Sequence, residues 1–165
     1  MNHLKGSVFV LSLGGSFNPI HDGHIAMMVE AKAILERLYG DGCVKCGFFA
    51  AALDEYVKTK ADPMKGYHRL NTIELASERY PFIARASQTY SFSGDCMKRE
   101  APIHLTQEEL QRVCYVVLLG GDYIANVERR IQESRQSLDP DTITMLFSRG
   151  NHIDHLQGKT VRTGI

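Results

Sequence analysis

Residues 14–24 read GGSFNPIHDGH and follow directly on the apolar run SVFVLSL at 7–13. Two glycines, a proline and two histidines between a strand pattern and a helix pattern are too specialised for a plain connector. Glycine permits positive φ and close approach of another group, and proline fixes φ. The stretch therefore predicts a strand end that feeds the first turn of a helix, with something seated on the loop between them. Backbone N–H groups at such a helix start lack intrahelical partners and the helix dipole favours negative charge there, so the place suits an anion.

The elements on either side set the fold class. A continuous apolar run such as 7–13 is what a strand covered on both faces requires. From residue 24 the period becomes helical, with Ile25, Met28, Val29, Leu35 and Leu38 on one face and Gly40 as the stop. VKCGFFAAA at 44–52 returns to strand. The charged stretch LDEYVKTKADPMKG reads as loop, and Leu70, Ile73, Ala76 and Tyr80 carry a second helix over 67–80. FIARAS at 82–87 is strand-like, and 88–105 has no clear period. Thr106 and Glu109 make a capping box for a short helix. CYVVLLGG at 114–121 is the next buried strand, followed by a polar helix over 122–135, a turn at 138–141, a strand at 142–148 and a strand in TVRTGI at the end.

Strands separated by helices imply parallel pairing, because parallel neighbours need crossover connections. The expectation is α/β: a single-domain Rossmann-like parallel sheet of about five to six strands with helices on both faces, spanning 1–165. Ligands of such sheets bind at the carboxyl ends of the strands, and both LSLGGSF and VLLGGDY place paired glycines there. TVRTGI is expected to approach that same edge.

Composition narrows the function classes. The 19 basic and 19 acidic residues cancel, so no field of the whole molecule recruits a nucleic-acid polymer or an anionic membrane. No apolar run approaches the roughly 18 residues of a membrane span, and the N-terminus shows no cleavage pattern, which predicts a cytoplasmic or nuclear protein. Cys43 and Cys46 form a C-x-x-C, yet Cys96 and Cys114 do not complete a zinc ribbon and the motif lies in a strand, so reduced thiols are expected.

His21 and His24 are three residues apart and face one side of the helix start. An imidazole donates a compact hydrogen bond and can become cationic, which suits phosphate oxygens. Metal ligation and plain capping are the competing readings of the same pair. The loop is neither a Walker A nor a G-x-G-x-x-G motif.

GGSFNPIHDGH resembles the signature of the nucleotidyltransferase superfamily with the H-x-G-H motif, and within it is most similar to the nicotinamide or nicotinate mononucleotide adenylyltransferases. DEYVK, GYHR, QTYS, LLGGD and SRG resemble that family's later segments, in the same order. The resemblance implies transfer of AMP from ATP to a nicotinamide or nicotinate mononucleotide, with pyrophosphate released and no covalent enzyme intermediate. It implies His21 and His24 as the catalytic pair on the phosphates, and Mg²⁺ bridging phosphates mainly through water. Gly15, Ser16, Phe17, Asn18, Lys58 and Tyr90 would meet the mononucleotide. Gly14, Gly120, Asp122 and Arg149 would meet ATP.

Each of these residues also has a plain reading. Lys58 suits a solvated loop, Tyr90 the core, Asp122 a helix N-cap and Arg149 a strand-end ion pair. Arg69 in GYHR is expected on the helix surface. No tryptophan is present, so any ring stacking falls to Phe17 or Tyr90. The family's I-S-S-T-x-x-R segment would begin where KTVRTGI stands. The expectation is a domain lacking that triphosphate-binding segment, which binds nucleotide weakly and turns over poorly. Pantetheine-phosphate adenylyl transfer, cytidylyl transfer from CTP and a non-catalytic nucleotide-binding module are the alternatives, and association into homo-oligomers is left open.

Overall fold

The computed structural model describes residues 4–120, 141–147 and 160–162. Six strands form one sheet: β1 (Val8–Gly15), β2 (Val44–Ala51), β3 (Ile83–Ala84), β4 (Val113–Gly120), β5 (Thr142–Phe147) and β6 (Thr160–Arg162), in the order β3-β2-β1-β4-β5-β6. The first five are parallel, giving the expected Rossmann-like α/β arrangement. β6 corrects the expectation. It pairs antiparallel to β5, with Ile143 opposite Arg162 and Met145 opposite Thr160. It therefore runs away from the carboxyl edge instead of approaching it; an antiparallel edge strand on an otherwise parallel sheet is a common arrangement.

Both faces of the sheet are covered, which is why β1 reads as unbroken hydrophobicity. Val8 through Leu13 are all buried, and side chains of a strand alternate between faces. On one face lies α1 (Asp22–Tyr39), whose buried residues Ile25, Met28, Ala31, Ile34 and Leu35 supply the apolar stripe. Leu38, read as part of that stripe, is exposed, and Ala31 and Ile34 pack in its stead. The Tyr39 ring meets Phe9 at 5.3 Å, and a Cβ on Gly47 would strike Met28 Sδ at 2.7 Å, so the helix lies directly against β2. Gly40 ends α1 at φ 117, a conformation that suits glycine.

On the other face lie α4 (Ser93–Glu100) and a 3-10 turn at Ala101–His104, which follow a stretch without readable period. Cys96, Met97 and Ala101 are their buried contacts, and Phe48 meets His104 there. Two short elements, α2 (Asp54–Val57) and α3 (Gly66–Ala76), follow β2, with Leu70 and Ile73 of α3 buried in the core, and α5 (Gln107–Gln111) begins with the expected Thr106 and Glu109 capping box. The strand expected at 82–87 shrinks to two residues, paired with Gly47 and Phe48.

All four cysteines are free, and burial pushes the Cys46 and Cys96 thiols up to about 12. Among the described residues, no helix is long and apolar enough to cross a membrane. The helix expected at 122–135 lies outside the described residues.

Candidate active site

The strand order reverses direction of growth between β1 and β4, the point where open α/β sheets form a crevice at their carboxyl ends. Leu13 pairs with Leu118, and Gly15 and Gly120, two residues further along each strand, line one cavity. A Cβ on Gly14 would meet Ser93 Oγ at 2.6 Å, so the start of α4 approaches the strand end closely there. A cavity of about 260 Å³ opens at this edge. Its lining includes Gly14, Gly15, Gly120, Tyr90, Phe92 and Ser93. A larger cleft of about 530 Å³ shares Tyr90 and Ser91 with it and adds Asp95, Lys98 and Arg99.

The loop after β1 is wound tightly. Phe17 has φ 48, a left-handed conformation that costs a bulky residue strain and persists only where its surroundings hold it. Two contacts do so: its buried ring lies edge-on to His24 at 4.8 Å and to Phe49 at 5.3 Å. Phe17 is therefore packed beneath the loop. The next residue, Asn18, spends its amide on a neighbouring segment, accepting from the Met64 N–H at 2.7 Å and donating to the carbonyls of Ala61 and Asp62.

His21 and His24 form the cap of α1. His21 Nδ1 accepts from the Gly23 N–H at 3.1 Å, and His24 Nδ1 accepts from the His21 N–H at 3.1 Å. This is a capping box with imidazoles in place of hydroxyl and carboxylate. The rings stack, with centroids 3.6 Å apart and planes 22° from parallel. An Nδ1 that accepts carries no proton, so each neutral ring bears its proton on Nε2 and can donate there. Burial, with a smaller contribution from His21, lowers the His24 pKa to about 4, so His24 is neutral at pH 7. The capping reading and the phosphate reading thus use different nitrogens of the same rings. The cationic option does not hold for His24 in this unliganded state.

Arg69 corrects the surface placement. It is fully buried, and its guanidinium donates to Met64 O at 3.0 Å, Ser16 O at 2.8 Å and Asp54 Oδ1 at 2.8 Å. That hydrogen bond, helped by other nearby donors and charges, holds the Asp54 carboxyl below its ordinary range. A guanidinium with five fixed donors can join three segments in this way.

Tyr90 is buried at the boundary of the two cavities, and its hydroxyl donates to Glu100 Oε2 at 2.8 Å. Burial first and Glu100 second push that phenol up to about 12. Glu100 also takes the Ser87 N–H and hydroxyl, which together with Tyr90 hold its carboxyl below the usual value despite its burial. Loop 87–91, which lines both cavities, is therefore fastened to α4.

Of the site residues expected from sequence, Gly14, Gly15, Tyr90 and Gly120 line one cavity, and His21, His24 and Phe17 pack together at the start of α1. Ser16 and Asn18 are held from behind by Arg69 and residues 61–64. Lys58 is exposed at the end of α2 and does not line either cavity. Asp122 and Arg149 lie outside the described residues. Sequence reasoning missed Phe92, Ser93 and Glu100, all in the aperiodic stretch. Phe92, two residues after the flagged Tyr90 and 68% exposed, is the aromatic side chain of the smaller cavity that remains open to a ligand.

Two solved structures of Plasmodium falciparum nicotinic acid mononucleotide adenylyltransferase are similar in outline. The one complexed with NaAD is 13% identical with a TM-score of 0.46, and the one complexed with APC is 12% identical with a TM-score of 0.45. Each comparison covers 96% of this chain and 73% of that one. No curated protein matches. A family model described as cytidylyltransferase-like matches residues 12–143, from within β1 to within β5 and including the glycine loop and both histidines, and the chain therefore belongs to the cytidylyltransferase-like family of nucleotidyltransferases.

Proposed function

We propose that this chain transfers AMP from ATP to nicotinamide or nicotinate mononucleotide, releasing pyrophosphate. The observation that carries the reading is the two-imidazole cap beside the glycine edge, whose Nδ1 atoms are tied to backbone and whose Nε2–H groups are left as donors. The mononucleotide phosphate attacks the α-phosphate of ATP in line, and the bond to the β,γ-pyrophosphate breaks. Such chemistry needs positioning and charge stabilisation more than covalent help from the protein. Nε2–H groups of His21 and His24 donate to phosphate oxygens as charge moves toward the leaving group. The backbone of Gly14, Gly15 and Gly120 allows close approach of the ligand.

Among the described residues, no three His, Cys, Asp or Glu side chains converge to hold a metal. In this reading Mg²⁺ would arrive on the nucleotide, with phosphate and water as its ligands. When bound, the ion neutralises phosphate charge. Phe92 is the side chain placed to stack on a planar ring in the cavity, a role for which Phe17 and Tyr90 are too buried.

Pyrophosphate release with Mg²⁺ tests the reading, with ATP and CTP each crossed against nicotinamide mononucleotide, nicotinate mononucleotide, phosphopantetheine and phosphocholine. ATP with one of the two pyridine mononucleotides should exceed every other pair. Release only with CTP would replace the reading by cytidylyl transfer. Nucleotide binding without release from any pair would leave a non-catalytic module.

A further inference from the structure

We infer that Arg69 is a positioning residue that sets the Ser16–Phe17 peptide so that its N–H is presented to the nucleotide's phosphates; the ligand class rests on the proposed function. The Ser16 carbonyl receives Arg69 Nη1 at 2.8 Å from inside the protein. The Ser16–Phe17 peptide is trans. In a planar trans peptide the carbonyl and the N–H point in opposite directions. Holding the Ser16 oxygen inward turns the Phe17 N–H outward, just ahead of the His21 and His24 cap. Left-handed Phe17 completes the turn, and turns of this kind gather backbone N–H groups around anions.

The hold on Ser16 is braced from three sides. Arg69 is buried with all three of its contacts made, to Ser16, Met64 and Asp54, and the Gly66 N–H also donates to Asp54. Gly66 lets these segments close up, since a Cβ there would meet Thr89 Cγ2 at 2.8 Å and Asp54 Oδ1 at 3.2 Å. The turn after β1, the start of α2 and the segment before α3 are thereby joined at one guanidinium.

The test uses the full chain and the variants Arg69→Lys and Arg69→Met. Lysine keeps the charge but cannot span three acceptors. With ATP, Mg²⁺ and the best mononucleotide, kcat should fall by about 10²-fold in Arg69→Lys, as when one donor to developing charge is lost, while the KM of ATP stays within about threefold. In the free protein, the Ser16 and Phe17 amide resonances should move in Arg69→Lys while those of β4 stay. If both variants unfold, wild-type hydrogen exchange decides: the Phe17 amide should exchange fast alone and slow on addition of ATP with Mg²⁺. Unchanged kcat with unmoved Ser16 and Phe17 resonances, or a Phe17 amide already protected without nucleotide, overturns the assignment. Absence of turnover by the wild type with every substrate pair overturns the proposed reaction instead, and the free-protein resonances still decide the role of Arg69.

Discussion

The His24 ring stacks on the His21 ring with centroids 3.6 Å apart, and each imidazole closes the start of α1 through Nδ1. Cap and donor are therefore separable by mutation. Ser and Gln at these positions make the ordinary S-x-x-Q capping box, which satisfies the N–H of position 21 and one N–H of the first turn. The double variant His21→Ser/His24→Gln should keep its melting temperature close to the wild type and lose pyrophosphate release by about 10²-fold or more. His21→Ala removes the cap as well and should cost about 1 kcal/mol of stability. Thermal unfolding and turnover measured on both variants check the pair. Normal turnover in the Ser/Gln variant would reduce the histidines to caps.

The half-buried setting of His24 makes stability depend on pH with a defined sign. Its folded pKa is lowered from 6.5 to about 4, chiefly by burial, so between those values the unfolded chain binds the proton and the folded one does not. Stability from this group is full above pH 6.5 and is lost as pH falls toward 4. Melting temperatures should rise from pH 4.5 to pH 7, and His24→Gln should flatten that rise. A wild-type curve no steeper than that of the variant would show that His24 titrates normally.

Phe92 and Phe17 should separate ring recognition from packing. Phe17 is buried between two aromatic rings, so Phe17→Leu should lower the melting temperature through lost edge-on contacts. Phe92 contributes no core contact to set against that, being 68% exposed at the cavity. Phe92→Leu should leave stability nearly unchanged and raise the mononucleotide KM more than the ATP KM, by the factor of about five to ten that corresponds to ~1 kcal/mol of aromatic pairing. Equal changes in both KM values would remove Phe92 from the ring site.

The sheet was legible because fully buried parallel strands leave long apolar runs, as at 8–13 and 113–118, and the glycines that end β1 and β4 are visible by their pairing. The start of α1 was legible from its histidines and glycines. α4 was not. It is two turns long, opens with Ser93-Gly94-Asp95, and buries only Cys96 and Met97, too few to set a period. Arg69 was misplaced for a different reason. Arginine is seldom fully buried, and the carbonyls that make burial tolerable here belong to Ser16 and Met64, 53 and 5 residues away. The direction of β6 was not legible, because three residues of strand pattern carry no sign of parallel or antiparallel pairing.

Glu100 holds loop 87–91 by three hydrogen bonds, and Tyr90 reports on that hold. The phenol is raised from 10.0 to about 12, with burial the larger cause and the Glu100 carboxylate the next. Glu100→Gln removes the charge and keeps an acceptor, so the Tyr90 pKa should fall part of the way back toward 10.0 and remain above it while the ring stays buried. The sign for stability follows from an acid whose folded pKa is raised: its contribution is present below pH 10 and is lost as pH rises toward 12. Ultraviolet titration of tyrosinate, with Tyr90→Phe to identify the signal, measures the shift. Because Tyr90 and Ser91 line both cavities, a loosened loop should raise the mononucleotide KM in Glu100→Gln before it changes the melting temperature much. A Tyr90 pKa unmoved by Glu100→Gln would show that burial alone sets it, and that the loop is held by packing and not by the carboxylate.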